Sequence, residues 1–255
     1  MKQSPSENQT SLFRQIFIVL GLAFLVATIF TSLTAEGLIR IALAGKLSNF
    51  PLYAPPPGGF PTPTPRPRPS LGIVSGHWGN DSGAVCPDGL TEAQINLIIA
   101  NLVRDKLAKE GFDVDLLEEF DARLQGYRAL ALVSIHADSC DYINDQATGF
   151  KVAAALSNSV PEKAGRLTAC IRDRYSTWTG LSYHSGSITA DMTSYHAFDE
   201  IDLNTPAAII EVGFLNLDRQ ILTQYPDSVA EGIAQGILCY IRNEDASRSV
   251  TPETP

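Results

Sequence analysis

The stretch LGIVSGHWGNDSGAVC, Leu71 to Cys86, decides how the rest of the chain is read. A short apolar run, Leu71 to Val74, breaks at Ser75 and Gly76 into a histidine and a string of Gly, Asn, Asp and Ser. This pattern predicts a buried strand that ends in a loop presenting one side chain. His77 then stands at the carboxyl end of a strand, where open α/β sheets carry their sites. An isolated histidine in such a turn is more often a satisfied surface residue, so the meaning of His77 depends on what lies downstream.

Thr91 and Gln94 have the spacing of a capping box, Ile95, Ile98, Ile99 and Leu102 form an apolar stripe, and Gly111 can close the helix they define. Phe112, Val114 and Leu116 alternate as a second strand, and Asp121 to Arg128 predicts a helix. ALALVSI, Ala129 to Ile135, is continuously apolar and reads as a buried strand, and Phe150 to Leu156 reads as another. A helix follows from Pro161 to Trp178, with Leu167, Ile171 and Arg174 on one face. AAIIEV, Ala207 to Val212, is a strand interrupted by a single glutamate, and a last helix from Asp227 to Arg242 puts Val229, Ile233, Ile237 and Ile241 on one side.

Strands apolar on both faces that alternate with helices imply a mostly parallel sheet covered on both sides, an α/β domain over residues 71–243. The segment Gly180 to Asn204, with His184 and His196, is rich in Ser, Thr and Tyr. It reads either as the lining of a substrate groove or as a polar surface connection.

Four residues do not suit these surroundings unless they have a task. His77 follows the first strand, Glu92 sits one residue inside the capped helix, His136 ends ALALVSI, and Glu211 lies within AAIIEV. A carboxylate inside an apolar strand is costly to bury without a cation, a donor or a proton. Two His and one Glu are the ligand set of many catalytic zinc sites and leave a position for water. Glu211 is the spare carboxylate such a site needs as a general base.

The segments GHWGNDSGA, GLTEAQINL, VSIHAD and PAAIIEVGFLN occur in this order from Gly76 to Asn216. Together they resemble the zinc-dependent N-acetylmuramoyl-L-alanine amidases of the type-3 catalytic domain, and the resemblance spans about Leu71 to Asn243. It implies a twisted sheet of roughly six strands flanked by helices, with Zn2+ held by His77, Glu92 and His136 and with Glu211 as the catalytic base. It also implies a cell-wall hydrolase that cuts the amide bond between N-acetylmuramic acid and the L-alanine of the peptidoglycan stem peptide. The sequence departs from the family where Val74-Ser75-Gly76-His77-Trp78-Gly79 replaces the usual Asp-Pro-Gly-His-Gly-Gly, and where Asp138 replaces the usual Asn after His-Ala. Neither change removes a ligand, and both alter groups that can orient one. A catalytically silent peptidoglycan-binding or regulatory domain of the same fold, and a zinc peptidase or amidase with another substrate, are the competing readings. A silent member would be expected to lack a ligand or the base, and all four positions are filled.

Outside the domain, residues 1–11 are polar and predict a disordered start. Residues 12–35 form a membrane signal anchor or a long signal peptide, because Ile16 to Ala35 carries no charge and can cross a hydrocarbon core of ~30 Å. Residues 36–70 make a linker whose prolines, dense from Phe50 to Ser70, favour an extended, semi-rigid spacer. Residues 244–255 predict a disordered tail. The expected location is the cell membrane with the domain on the wall side, or secretion. A formal charge of -9 argues against a nucleic-acid partner, since phosphate binding needs a basic stripe. The four cysteines lack CxxC spacing. In an exported domain, pairing Cys86 with Cys140 would join the loops behind the two candidate histidines and leave Cys170 for Cys239. Four buried free thiols are the alternative.

Overall fold

A computed structural model describes residues 68–246, with Leu20 alone before them. The chain divides into residues 1–64 and 65–255, and the second unit holds every described residue except Leu20. The predicted polar start, the membrane segment, nearly all of the linker and the tail beyond Ala246 lie outside the described residues. Among the described residues no helix is long and apolar enough to cross a membrane.

The opening run forms strand β1, Ser70–Ser75, and the capped segment forms helix α1, Glu92–Lys109. The Thr91 side chain accepts the Gln94 N–H and the Gln94 side chain accepts the Thr91 N–H, so two orphan amides of the first turn are satisfied. At the other end Gly111, at φ 95°, reverses the chain. Its N–H donates to Ala108 and that of Phe112 to Leu107, the paired bonds of a Schellman stop. The buried face of α1 runs through Glu92, Ile95, Ile99, Val103 and Leu107. Ile98, expected in the stripe, is instead 49% exposed, because the buried residues step from 95 to 99 to 103 and leave position 98 on the flank.

Strands β2, Asp113–Leu117, and β3, Leu132–Asp138, follow. Between them the predicted helix Asp121 to Arg128 shrinks to one 3-10 turn, Ala122–Leu124, since Gly126 at φ 68° turns the chain. Next come β4, Lys151–Ala154, and α2, Pro161–Thr179. The poorly patterned segment supplies a 3-10 turn, Ser185–Ser187, and two short helices, α3, Ala190–Thr193, and α4, His196–Glu200. Strand β5, Ala207–Phe214, and helices α5, Arg219–Gln224, and α6, Pro226–Ile241, complete the domain.

The sheet has five strands in the order β2-β1-β3-β5-β4 rather than the six that the resemblance implied. Neither the segment between β2 and β3 nor that between α2 and β5 contains the alternating or continuous apolar run a further strand needs. The first four strands in this order pair in parallel and β4 is antiparallel at the edge. Ile73, Val133, Ile135, Ile210 and Val212 pack on one face against α1, α2 and α6. Val74, Leu132 and Ile209 pack on the other against Met192, Tyr195, Phe198 and Ile201. Each fully buried Ile or Val contributes roughly 1.5–3 kcal/mol relative to exposure. The second face is therefore roofed by the 190–201 segment, and that roof runs beside the carboxyl ends of β1 and β3.

Two disulfides, Cys86–Cys140 and Cys170–Cys239, staple the domain. The first joins the loops after β1 and β3, and the second ties α2 to α6.

Candidate functional site

β1 ends at Ser75, and the chain turns so sharply that His77 adopts the left-handed conformation, φ 65°. A non-glycine residue held there costs about 1–2 kcal/mol, so neighbouring groups have to hold it. They do: the His77 N–H donates to Glu119 Oε2 at 2.6 Å, and its ring Nδ1 lies 2.6 Å from Asp81 Oδ1. With Nδ1 occupied, Nε2 faces inward, 3.3 Å from Glu92 Oε1.

Glu92 enters from the first turn of α1, where the helix dipole favours a negative charge. It is 6% exposed. Its Oε1 accepts from Asn96 Nδ2 at 3.3 Å and from the Ala137 N–H at 3.2 Å, and its Oε2 accepts from the Ala84 N–H at 3.1 Å. His136 comes from the end of β3, with Nδ1 3.3 Å from Glu92 Oε1 and Nε2 3.8 Å from Glu119 Oε2. Its ring lies over Gly76, where an added Cβ would come within 2.4 Å of it, so the ring position depends on that glycine.

One nitrogen or oxygen from each of His77, Glu92 and His136 lies within 4.8 Å of the others, a spacing that could hold a metal ion. The donor set, two imidazoles and a carboxylate, suits zinc. Two further observations fit a cation here: His136 Nε2 and Glu211 Oε2 are both buried and lack a hydrogen-bond partner among the described residues. The charges are mutually supporting. Burial would raise the Glu92 carboxyl, but hydrogen bonds with His136 and His77 outweigh it and hold the group well below the usual carboxylate range. The hydrogen bond to Glu92, against the opposing effect of burial, lifts His77 to about 9.

Glu211 faces His136 directly across the β3–β5 ladder and faces Lys151 across the β4–β5 ladder. Burial raises its carboxyl to about 7, with His136 and Lys151 opposing the rise and Asp138 and Glu92 adding to it. A carboxylate near neutrality beside an imidazole pair can take and return a proton at physiological pH. Glu211 lines a cavity of about 380 Å³ together with His77, Glu92, His136, Met192 and Tyr195. A second cavity of about 360 Å³ adjoins it through Asp138 and is lined by Lys151, His184, Ser187, Thr189 and Phe214. The 180–204 segment thus contributes to both hollows.

All four misfit residues of the sequence therefore converge on one place. His184 and His196 stay outside the triad: His184 Nδ1 lies 2.5 Å from Ser187 Oγ, and His196 lies 3.1 Å from Glu119 and 2.9 Å from Glu200. Glu119, Asp81, Asn96 and Lys151 carry no signal in the sequence that sets them apart. Glu119 is half of an acidic pair in LLEEFD and Asp81 lies in the turn GNDSG, and both patterns read as solvated surface. Glu119 is in fact 6% exposed. Burial works to raise its carboxyl, but the hydrogen bond with His196, the charge on His136 and the His77 N–H hold it at about 2.

The sequence pattern of the family described as N-acetylmuramoyl-L-alanine amidase matches residues 71–239. No match was found among curated protein sequences. Among solved structures, an N-acetylmuramoyl-L-alanine amidase from Clostridium difficile 630 is similar at 24% identity with a TM-score of 0.56, over 71% of this chain and 100% of that one. Amidase AmiC2 of Nostoc punctiforme is 25% identical with a TM-score of 0.51, over 68% of this chain and 97% of its own. Ami1 of Mycobacterium smegmatis shares the fold at 18% identity with a TM-score of 0.57, over 69% and 97% of the two chains.

Proposed function

The chain belongs to the N-acetylmuramoyl-L-alanine amidase family, hydrolases that cleave the bond between N-acetylmuramic acid and L-alanine in peptidoglycan, and from that premise we propose how its residues perform the cleavage. His77, Glu92 and His136 hold Zn2+, and Glu211 is the general base. The observation that carries this reading is the register of β3 against β5, which sets Glu211 opposite His136, with its Oε2 buried and unpartnered and the residue lining the same cavity as the three donors. Zinc bound there supplies a Lewis acid for the amide carbonyl and lowers the pKa of a water molecule. Glu211 takes a proton from the attacking water and delivers it to the leaving amine of L-alanine. Asp81 keeps His77 aimed inward, and the Asn96 side chain with the Ala84 and Ala137 amides does so for Glu92, so little reorganisation is needed when the charge on the carbonyl oxygen develops. Met192 and Tyr195 limit access of bulk water from the roof, and the adjoining cavity past Asp138 accommodates substrate beyond the scissile bond.

Two disulfides suit an oxidising compartment, which supports a location outside the cytoplasm. The apolar residues 12–35 then act as the membrane anchor and residues 36–70 as the spacer that lets the domain reach the wall. The test is end-group analysis of purified peptidoglycan digested by the full chain. New amino-terminal L-alanine is the expected product, and new termini of any other residue, or none, would contradict the assignment.

A further inference from the structure

One buried carboxylate outside the triad joins the loop that carries His77 to the roof over the sheet. Glu119 follows β2 by two residues. Its N–H donates to Trp78 O at 3.0 Å, and its Oε2 accepts the His77 N–H at 2.6 Å, so it grips the loop that carries His77 twice. The same Oε2 is 3.8 Å from His136 Nε2, too far for a hydrogen bond but close enough for its charge to act. Oε1 accepts the Tyr195 hydroxyl at 2.9 Å and lies 3.1 Å from His196 Nε2. Tyr195 in turn sets its ring edgewise on His136, centroids 5.4 Å apart. Among the described residues no Lys or Arg pairs with Glu119; its ionic partners are His136 and His196.

We propose that Glu119 is a positioning residue for the metal centre: it holds His77 in its left-handed turn, so that this imidazole presents Nε2 toward the ion that His136 also faces, and it sets a negative charge beside the His136 ring. A carboxylate behind a ligating imidazole fixes the ring and raises its basicity, and losing such a partner lowers metal affinity by about 10- to 100-fold. Glu119 does this for His77 through the backbone and acts on His136 through its charge alone; Tyr195 and His196 both reach Oε1, so the loss of one contact leaves the other. The inference rests on the reading of His77, Glu92 and His136 as metal ligands.

The test uses the full chain stripped of metal and titrated with zinc against a chromophoric chelator, with the visible spectrum of the cobalt-substituted form as a second readout. Glu119→Gln keeps the volume but loses the charge and one acceptor. It is expected to bind zinc about 10- to 100-fold more weakly and to shift the cobalt bands, while Tyr195→Phe, which removes one contact to the carboxylate and none to a ligand, stays within about threefold of wild type. Glu119→Asp retains the charge at shorter reach and should recover part of the affinity lost in the Gln variant. Should Glu119→Gln not fold, Glu119→Asp decides, with zinc binding weaker by about threefold or more expected. Zinc affinity and cobalt bands equal to wild type in the folded variant would overturn the positioning role alone. A wild-type chain that binds no zinc would overturn the reading of the site, and the proposal with it.

Discussion

At the residue scale, the site is a set of charges that satisfy one another until a metal enters. His77 shows the consequence most directly. In the metal-free protein the hydrogen bond to Glu92 raises it to about 9, burial notwithstanding, so at neutral pH the ring carries a proton that a metal must displace. Metal binding then releases that proton, and the apparent affinity climbs as the free ring deprotonates. Zinc affinity measured by chelator competition should therefore rise by roughly tenfold or more per pH unit from pH 7 toward 9, since, against its burial, the carboxylates beside His136 raise that ring as well, and a flat profile would contradict the coupling. This pairing of imidazole with carboxylate was legible in the sequence, because His77, Glu92, His136 and Glu211 each violate the local pattern around them. Glu119 and Asp81 violate nothing: acidic residues after a strand and in a Gly-Asn-Asp turn are what solvent-facing segments contain. Only the folded chain brings them back onto the histidines.

At the element scale, the ends of α1 were readable to the residue because capping is local chemistry: Thr91 and Gln94 open the helix and Gly111 stops it. The 180–204 segment was opaque for the opposite reason. Its short helices α3 and α4 are too brief to show a period, and they exist because Met192, Ala197 and Phe198 pack onto the sheet. Packing between helices depends on contacts the sequence does not display. At Gly236 in α6, an added Cβ would come within 2.6 Å of Ile171 Cα in α2, a backbone atom that cannot move aside alone. Gly236→Ala should destabilise the domain by about 1–3 kcal/mol despite the better helix propensity of alanine. That corresponds to a fall in Tm of roughly 3–10 °C in a thermal melt. An unchanged or raised Tm would contradict the close contact of the two helices.

At the scale of the whole molecule, the chain concentrates its constraints around one end of the sheet. The Cys86–Cys140 bridge closes 54 residues and fastens together the loops behind His77 and His136, while Cys170–Cys239 closes 69 and fastens the helical layer beneath. By loop-closure entropy each is worth about 4 kcal/mol. The α/β class followed from apolar strands alternating with helices, and the five strands are those the sequence patterns indicate. The sixth came from the resemblance alone. The anchor and spacer expected before residue 68 bear on where the enzyme works rather than on how the site is built. The central claim, that Glu211 acts as base beside a zinc held by His77, Glu92 and His136, is tested most directly by measuring zinc content and peptidoglycan turnover of the full chain, wild type beside Glu211→Gln. One zinc per chain is expected in both proteins, with turnover lowered by about 10²- to 10⁴-fold in the variant. Turnover of the variant within about tenfold of wild type, or a wild-type chain active without zinc, would contradict it.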